Sequence, residues 1–266
     1  MRLNMTRVRV RRERPTALAV AVALCVTMLV VYVLTLDAKG PEAVQSMAAA
    51  PRVTREINLE PLSGWCVSMA RCKSQQEARL QASAWVGRGA AGCVRELDGE
   101  WRVLGALYDS RKEAERISKR LTDDEGIPAE AIPLEAKGIK LRVTAPQAQI
   151  EAVAGADALL RTQTRQLGSV ALQLDKGEIN ADAARALCAL AATEATETAG
   201  ALAAIPGAGD NALCAGLMER LTELAQMQDT VAESALGDAT TLSGMLRCAQ
   251  IEGFLGQWAL LKAAEK

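Results

Sequence analysis

The chain contains no histidine. That absence excludes Ser-His-Asp and Cys-His nucleophilic catalysis and every histidine-ligated metal site. No glycine-rich phosphate loop follows a strand anywhere. Seven cysteines are present, but no two form a Cys-x-x-Cys pair and their spacing is irregular, so they do not read as a disulfide framework. Cys188, Cys214 and Cys248 fall among apolar helical positions and read as small core residues. The cluster Asp123-Asp124-Glu125 sits where a helix runs into a turn, and it reads as a solvated loop rather than an acid-base or metal site. Neither an enzyme, nor a cofactor, nor a metal site is expected. Aromatic residues are equally scarce, seven in all (four Trp, two Tyr, one Phe) among 266 residues. Alanine supplies much of the apolar half of the composition, which favours helix.

A strong overall charge is also lacking. The net value of −1 gives no reason to expect nucleic acid as a partner. Its distribution is informative, however. Residues 1–14 carry six Arg against Glu13, a net plus five, which leaves minus six for the remaining 252 residues. From Pro15 to Leu36 there is no charge, and Ala17 to Leu36 is apolar over about the 20 residues that span a bilayer core. A secretory signal is the competing reading, but signal apolar regions are shorter and the nearest small-residue site, Met47 to Ala50, lies far beyond the run. The sequence therefore predicts a cytoplasmic basic segment (1–14), a transmembrane helix (15–36) and, by the positive-inside rule, an extracytoplasmic remainder. Residues 37–61, with Pro41, Pro51 and Pro61, read as a linker.

From Gly64 the pattern changes. Trp65 to Ala70 alternates like a strand, Gln75 to Arg88 has helical spacing, and Cys93 to Leu97 and Glu100 to Leu107 flank the hairpin signal Asp98-Gly99. Ser110 with Glu113 suggests a capping box opening a second helix, and Ala129 to Leu134 closes the unit. Two half-repeats emerge: Val67-Ser-Met-Ala-Arg-Cys-Lys-Ser-Gln-Gln-Glu-Ala78 and Val103-Leu-Gly-Ala-Leu-Tyr-Asp-Ser-Arg-Lys-Glu-Ala114. Each is a strand, then Ser, two polar residues, Glu-Ala and a helix. The pattern resembles the SPOR family of bacterial envelope proteins over about a third of the chain. The second half fits through Arg102-Val103, Ala106, Tyr108, Ser110 and Glu113-Ala114-Glu115. The first departs at Ser68, Ala70 and Cys72, where the family favours Gln, Gly and an aromatic.

The resemblance implies a four-stranded antiparallel sheet with two helices on one face (βαββαβ) over residues 62–144. Alternation then directs Val67, Met69, Val103 and Leu107 toward the helices, and Cys66, Ser68, Arg95, Arg102, Leu104 and Cys93 away from them. SPOR domains use that second face to bind peptidoglycan glycan strands lacking stem peptides. The implied ligand contacts are Arg95 and Arg102 to a carboxylate, Ser68 to a sugar hydroxyl, and Leu104 or Trp65 over a ring.

Residues 145–266 follow a different regime. Val153, Leu160, Leu167 and Leu174 recur every seven residues, and four helical segments separated by Gly, Asn or Pro read as an antiparallel bundle. From 146 to 266 the chain has eight basic and fifteen acidic residues, minus seven. The fold class expected is α+β: transmembrane helix, one sheet with two helices, then an all-α bundle. The function expected is a single-pass membrane protein that binds peptidoglycan glycan strands at sites of septation, division or sporulation. The alternative is a membrane-anchored scaffold without glycan binding, in which the bundle engages envelope or divisome proteins.

Overall fold

The computed structural model describes residues 51–235 and 238–265. Among them are two sheets and six helices. Strand β1 is Arg52–Leu59, β2 is Leu62–Cys72, β3 is Cys93–Leu97, β4 is Glu100–Tyr108, β5 is Glu130–Ala136 and β6 is Ile139–Pro146. Helix α1 is Gln75–Val86, α2 is Arg111–Glu125, α3 is Gln147–Asp175, α4 is Ala181–Ala203, α5 is Ala212–Ala232 and α6 is Ala239–Ala264. Strands β3-β4-β2-β5 form an antiparallel sheet in that order, and β1 pairs antiparallel with β6 in a second sheet.

Local chemistry explains the first sheet. Asp98 and Gly99, both at positive φ (53° and 78°), turn β3 back into β4, since the twist of a two-residue hairpin favours this geometry. Ser74 caps α1 by accepting from the Glu77 N–H at 3.2 Å, and the Glu77 carboxylate accepts from the Lys73 N–H at 3.1 Å. Ser110 stands at the N-cap of α2, but its side chain makes no capping bond. The capping interaction expected there forms at the other half-repeat.

Helices α1 and α2 cover one face. Val67 and Met69 pack with Ala114 and Ile127, and Ala70, Cys72 and Val103 pack with Ala78 and Ala82. Leu107 departs from its expected side. The pairing steps from Val67↔Ala106 to Ser68↔Leu104, so Gly105 is an extra residue in β4. Such a bulge inverts the alternation beyond it. Leu107 consequently lies on the opposite face, where its side chain and Phe254 of α6 both abut Gly64.

The fold class expected from sequence needs correction. The structure has two sheets rather than one, because β1 rises from the stretch read as linker and pairs with β6. The four-stranded sheet is covered on both faces, since α6 packs across β3, β4 and β5 opposite α1 and α2. No helix among the described residues is long and apolar enough to cross a membrane. The helix expected at 15–36 lies outside the described residues.

Helices α3 to α6 form a ring in which α4 packs most closely on α5 and α3 on α6. Val153, Leu160, Leu167 and Leu174 are all buried on α3. Ala184, Cys188, Ala192, Ala195 and Ala199 line the buried face of α4, where small side chains let the helix axes approach. The described residues make one compact unit in which sheet and bundle share α6.

Candidate functional site

The sheet face opposite α1 and α2 is the site the sequence points to, and α6 occupies it. A 26-residue helix is about 39 Å long, enough to cross four strands. Its first turns lie against the loop after α1: a Cβ at Gly244 would sit 2.8 Å from the Ala90 carbonyl oxygen. Its middle meets β3 through Glu252 and β2 through Phe254, whose ring is 2.9 Å from where a Gly64 Cβ would stand. Farther on, the Trp258 indole N–H donates to the Glu135 carbonyl of β5 at 2.9 Å. Its end is fixed by Glu265, which accepts from the Lys137 N–H at 2.8 Å in the β5–β6 turn. Only glycine admits the two close approaches at 64 and 244.

The expected ligand residues are distributed as follows. Ser68 is 1% exposed, and its hydroxyl donates to the Ala70 carbonyl of its own strand at 3.3 Å. Leu104 is fully buried opposite Cys93. Both were expected to face a ligand, and both are core residues in this structure. Trp65 is half-buried on the α1/α2 side, with the Arg111 guanidinium 5.3 Å from its ring centre. It belongs to the opposite face from the one assigned to it.

Arg95 and Arg102 stand directly opposite each other in the register, on one face as expected. Arg71 is opposite Arg102 on the next strand, so three arginines align across β3, β4 and β2. Arg71 is the member the sequence reading missed, although the bulge at Met69 hides it from simple alternation. The carboxylates these arginines meet come from the chain itself. Arg102, with 9% of its side chain exposed, is bound by Glu130 and by Glu100 at 3.0 Å. Arg71 also binds Glu130, through Nε at 2.8 Å and through Nη2. The Arg71 hydrogen bond, reinforced by Arg102, holds the Glu130 carboxyl below its ordinary value. Arg95, with 49% of its side chain exposed, binds Glu252 of α6.

Beside Arg95 lies a second cluster that sequence spacing could not reveal. Cys93 donates from Sγ to Glu252 Oε1 at 2.9 Å and is also hydrogen-bonded to Cys248. Cys93 Sγ, Cys248 Sγ and a Glu252 carboxylate oxygen all lie within 4.8 Å of one another. The Cys248 bond and burial push the Cys93 thiol up, while the same bond lowers that of Cys248. Cys248 and Glu252 are four apart on one helix face, the only local trace of this cluster in the sequence. A cleft of about 660 Å³ opens alongside, lined by Arg95, Arg220, Glu223, Glu252 and Trp258. Among the described residues, Cys93, Cys248 and Glu252 are the group that could hold a metal ion.

No family model, curated protein or solved structure matches the chain. The likeness to SPOR domains rests on the half-repeat and its element order.

Proposed function

We propose that the chain is a non-enzymatic scaffold of the cell envelope. In this reading the SPOR-like sheet is an internal platform and the helical bundle presents the partner-binding surface. The observation that carries it is α6 lying on the face through which a SPOR domain would bind glycan. Ser68, Leu104 and Cys66 are buried on that face, and Arg71, Arg95 and Arg102 are each paired with a carboxylate of the chain itself, so the side chains a sugar would need are already engaged. Its burial also hides apolar surface that would otherwise cost about 25 cal/mol per Å² exposed. The bundle, by contrast, leaves Leu172, Leu187 and Leu190 at 44–55% exposure on α3 and α4, a surface suited to a protein partner.

Glycan binding is the second reading, favoured by one observation. The cleft beside Arg95 combines cations with the Trp258 ring, a pairing that suits an anionic sugar. Co-sedimentation with amidase-treated and intact wall separates the two. The scaffold reading expects no preference for treated wall, and no change in Arg95→Ala or Arg102→Ala. A preference that either substitution weakens about tenfold would overturn it.

The proposed location is the cell membrane, with residues 52–265 outside the cytoplasm, on the strength of the basic segment 1–14 and the uncharged run behind it. A reporter active only outside the cytoplasm, fused after Lys266, is expected to be on. Activity from a cytoplasmic reporter alone would contradict it.

A further inference from the structure

We propose that Cys93, Cys248 and Glu252 form a binding site for a thiophilic divalent cation, zinc(II), that fastens α6 to β3. The proposal stands on its own geometry, whether the sheet face serves as platform or as glycan site. Zinc takes thiolates at about 2.3 Å and carboxylate oxygens at about 2.0–2.2 Å in a tetrahedron, which sets its donors about 3.5–3.8 Å apart. The three donor atoms here already lie within 4.8 Å of one another, and the Cys93 Sγ to Glu252 Oε1 separation is 2.9 Å, so a cation would spread the donors slightly rather than gather them from a distance.

Three features distinguish this cluster from ordinary core cysteines. The carboxylate is oriented: Arg95 engages Glu252 Oε2, so Oε1 is turned to the thiols, as an outer partner turns a metal ligand. The charges balance as well. Two thiolates and one carboxylate carry three negative charges, against two on the ion and one on Arg95, and both thiol protons leave to solvent as the ion enters. Finally, Glu252 keeps some exposure toward the neighbouring cleft, which leaves the fourth position to a water. The ligands come from two elements 155 residues apart, β3 and α6, so occupancy would couple metal binding to closure of the helix on the sheet.

The test uses the full-length reduced chain with cobalt(II) as the spectroscopic probe and zinc(II) as competitor. The expected result is one cobalt per chain, with a sulfur-to-cobalt charge-transfer band and the visible bands of tetrahedral coordination, both abolished by zinc. Zinc should also raise the melting temperature and protect two thiols from alkylation, identified as Cys93 and Cys248 by peptide mapping. Cys248→Ser should lose the charge-transfer band. Glu252→Gln should bind at least about tenfold more weakly, since loss of a mere outer partner already costs 10–100-fold. Cys188→Ser, remote in the bundle, should keep the wild-type spectrum. If a cysteine variant fails to fold, protection of the two mapped thiols in the unmodified chain decides the matter. The proposal is overturned if wild-type protein shows no such band, if zinc protects other thiols, or if Cys248→Ser binds cobalt unchanged. It is overturned equally if Cys93 and Cys248 form a disulfide in air while the reduced chain takes no cobalt.

Discussion

The two faces of the four-stranded sheet are covered in opposite ways. On one, α1 and α2 each follow directly on a strand they pack against, so the cover is built from neighbours in sequence. On the other, α6 arrives from more than 130 residues beyond β4 and packs across β3, β4 and β5, meeting β2 where Phe254 abuts Gly64. The first face is a property of the half-repeat, and the second belongs to the whole chain. A local cover closes small loops, whereas a distant one must offset the ordering of everything between, and it does so with aromatic packing, an ion pair and backbone hydrogen bonds.

The largest expected effect tests the distant cover at its anchor. Phe254, buried against Gly64 and Leu107, is expected to cost about 3–5 kcal/mol when changed to Ala, read as a fall in the denaturation midpoint. A loss under 1 kcal/mol would mean that α6 does not rest there. Next comes Gly244→Val, which drives a side chain into the Ala90 carbonyl and is expected to cost about 1–3 kcal/mol, checked by thermal melting. Ser68→Gln should cost about as much, because the longer amide has no space at a position only 1% exposed; were that face open, the same substitution would be harmless.

Two buried or paired groups make stability depend on pH in opposite directions. Burial pushes the Cys66 thiol to about 12 from 9.0, so its neutral form is favoured in the folded state. That contribution is complete below pH 9 and is lost as pH rises through the interval toward 12. Chemical denaturation across that range should show stability falling in wild type and a shallower fall in Cys66→Ala. Glu130 behaves oppositely. Its depressed value stabilises the fold above the unfolded value of 4.5, and the contribution is lost as pH falls below it. Glu130→Gln should flatten that acid limb. The smallest effect belongs to the local side: Leu80, 70% exposed on the outer face of α1, should change stability by under about 0.5 kcal/mol when replaced by Ser.

The same contrast explains what could be read in advance. The hairpin at Asp98-Gly99, the α1 and α2 periodicities and the heptads of α3 depend on residues close in sequence, so pattern reaches them. Pairing of β1 with β6 joins segments some 90 residues apart, and the alternation of Val53, Ile57 and Leu59 between Pro51 and Pro61 does not say which strand it will meet. The bulge at Gly105 moved Leu107 to the other face, an inversion that alternation alone cannot foresee. For the site, Arg95 and Arg102 were placed on one face correctly, because adjacent hairpin strands fix their register. That Glu130 and Glu252 would neutralise them was not legible, since neither carboxylate is near in sequence. Cys248 looked like a core cysteine because its partner Cys93 lies on a different element.

Helix α6 lies on the sheet face opposite α1 and α2, and one ring reports on that placement. Phe254 is the only phenylalanine in the chain, so a sample labelled at Phe alone carries a single ring signal. Nuclear Overhauser contacts from that ring to the Gly64 α-protons and the Leu107 methyl groups are the expected result. A Phe254 ring with contacts only to other helices of the bundle, and none to Gly64 or Leu107, would contradict the account.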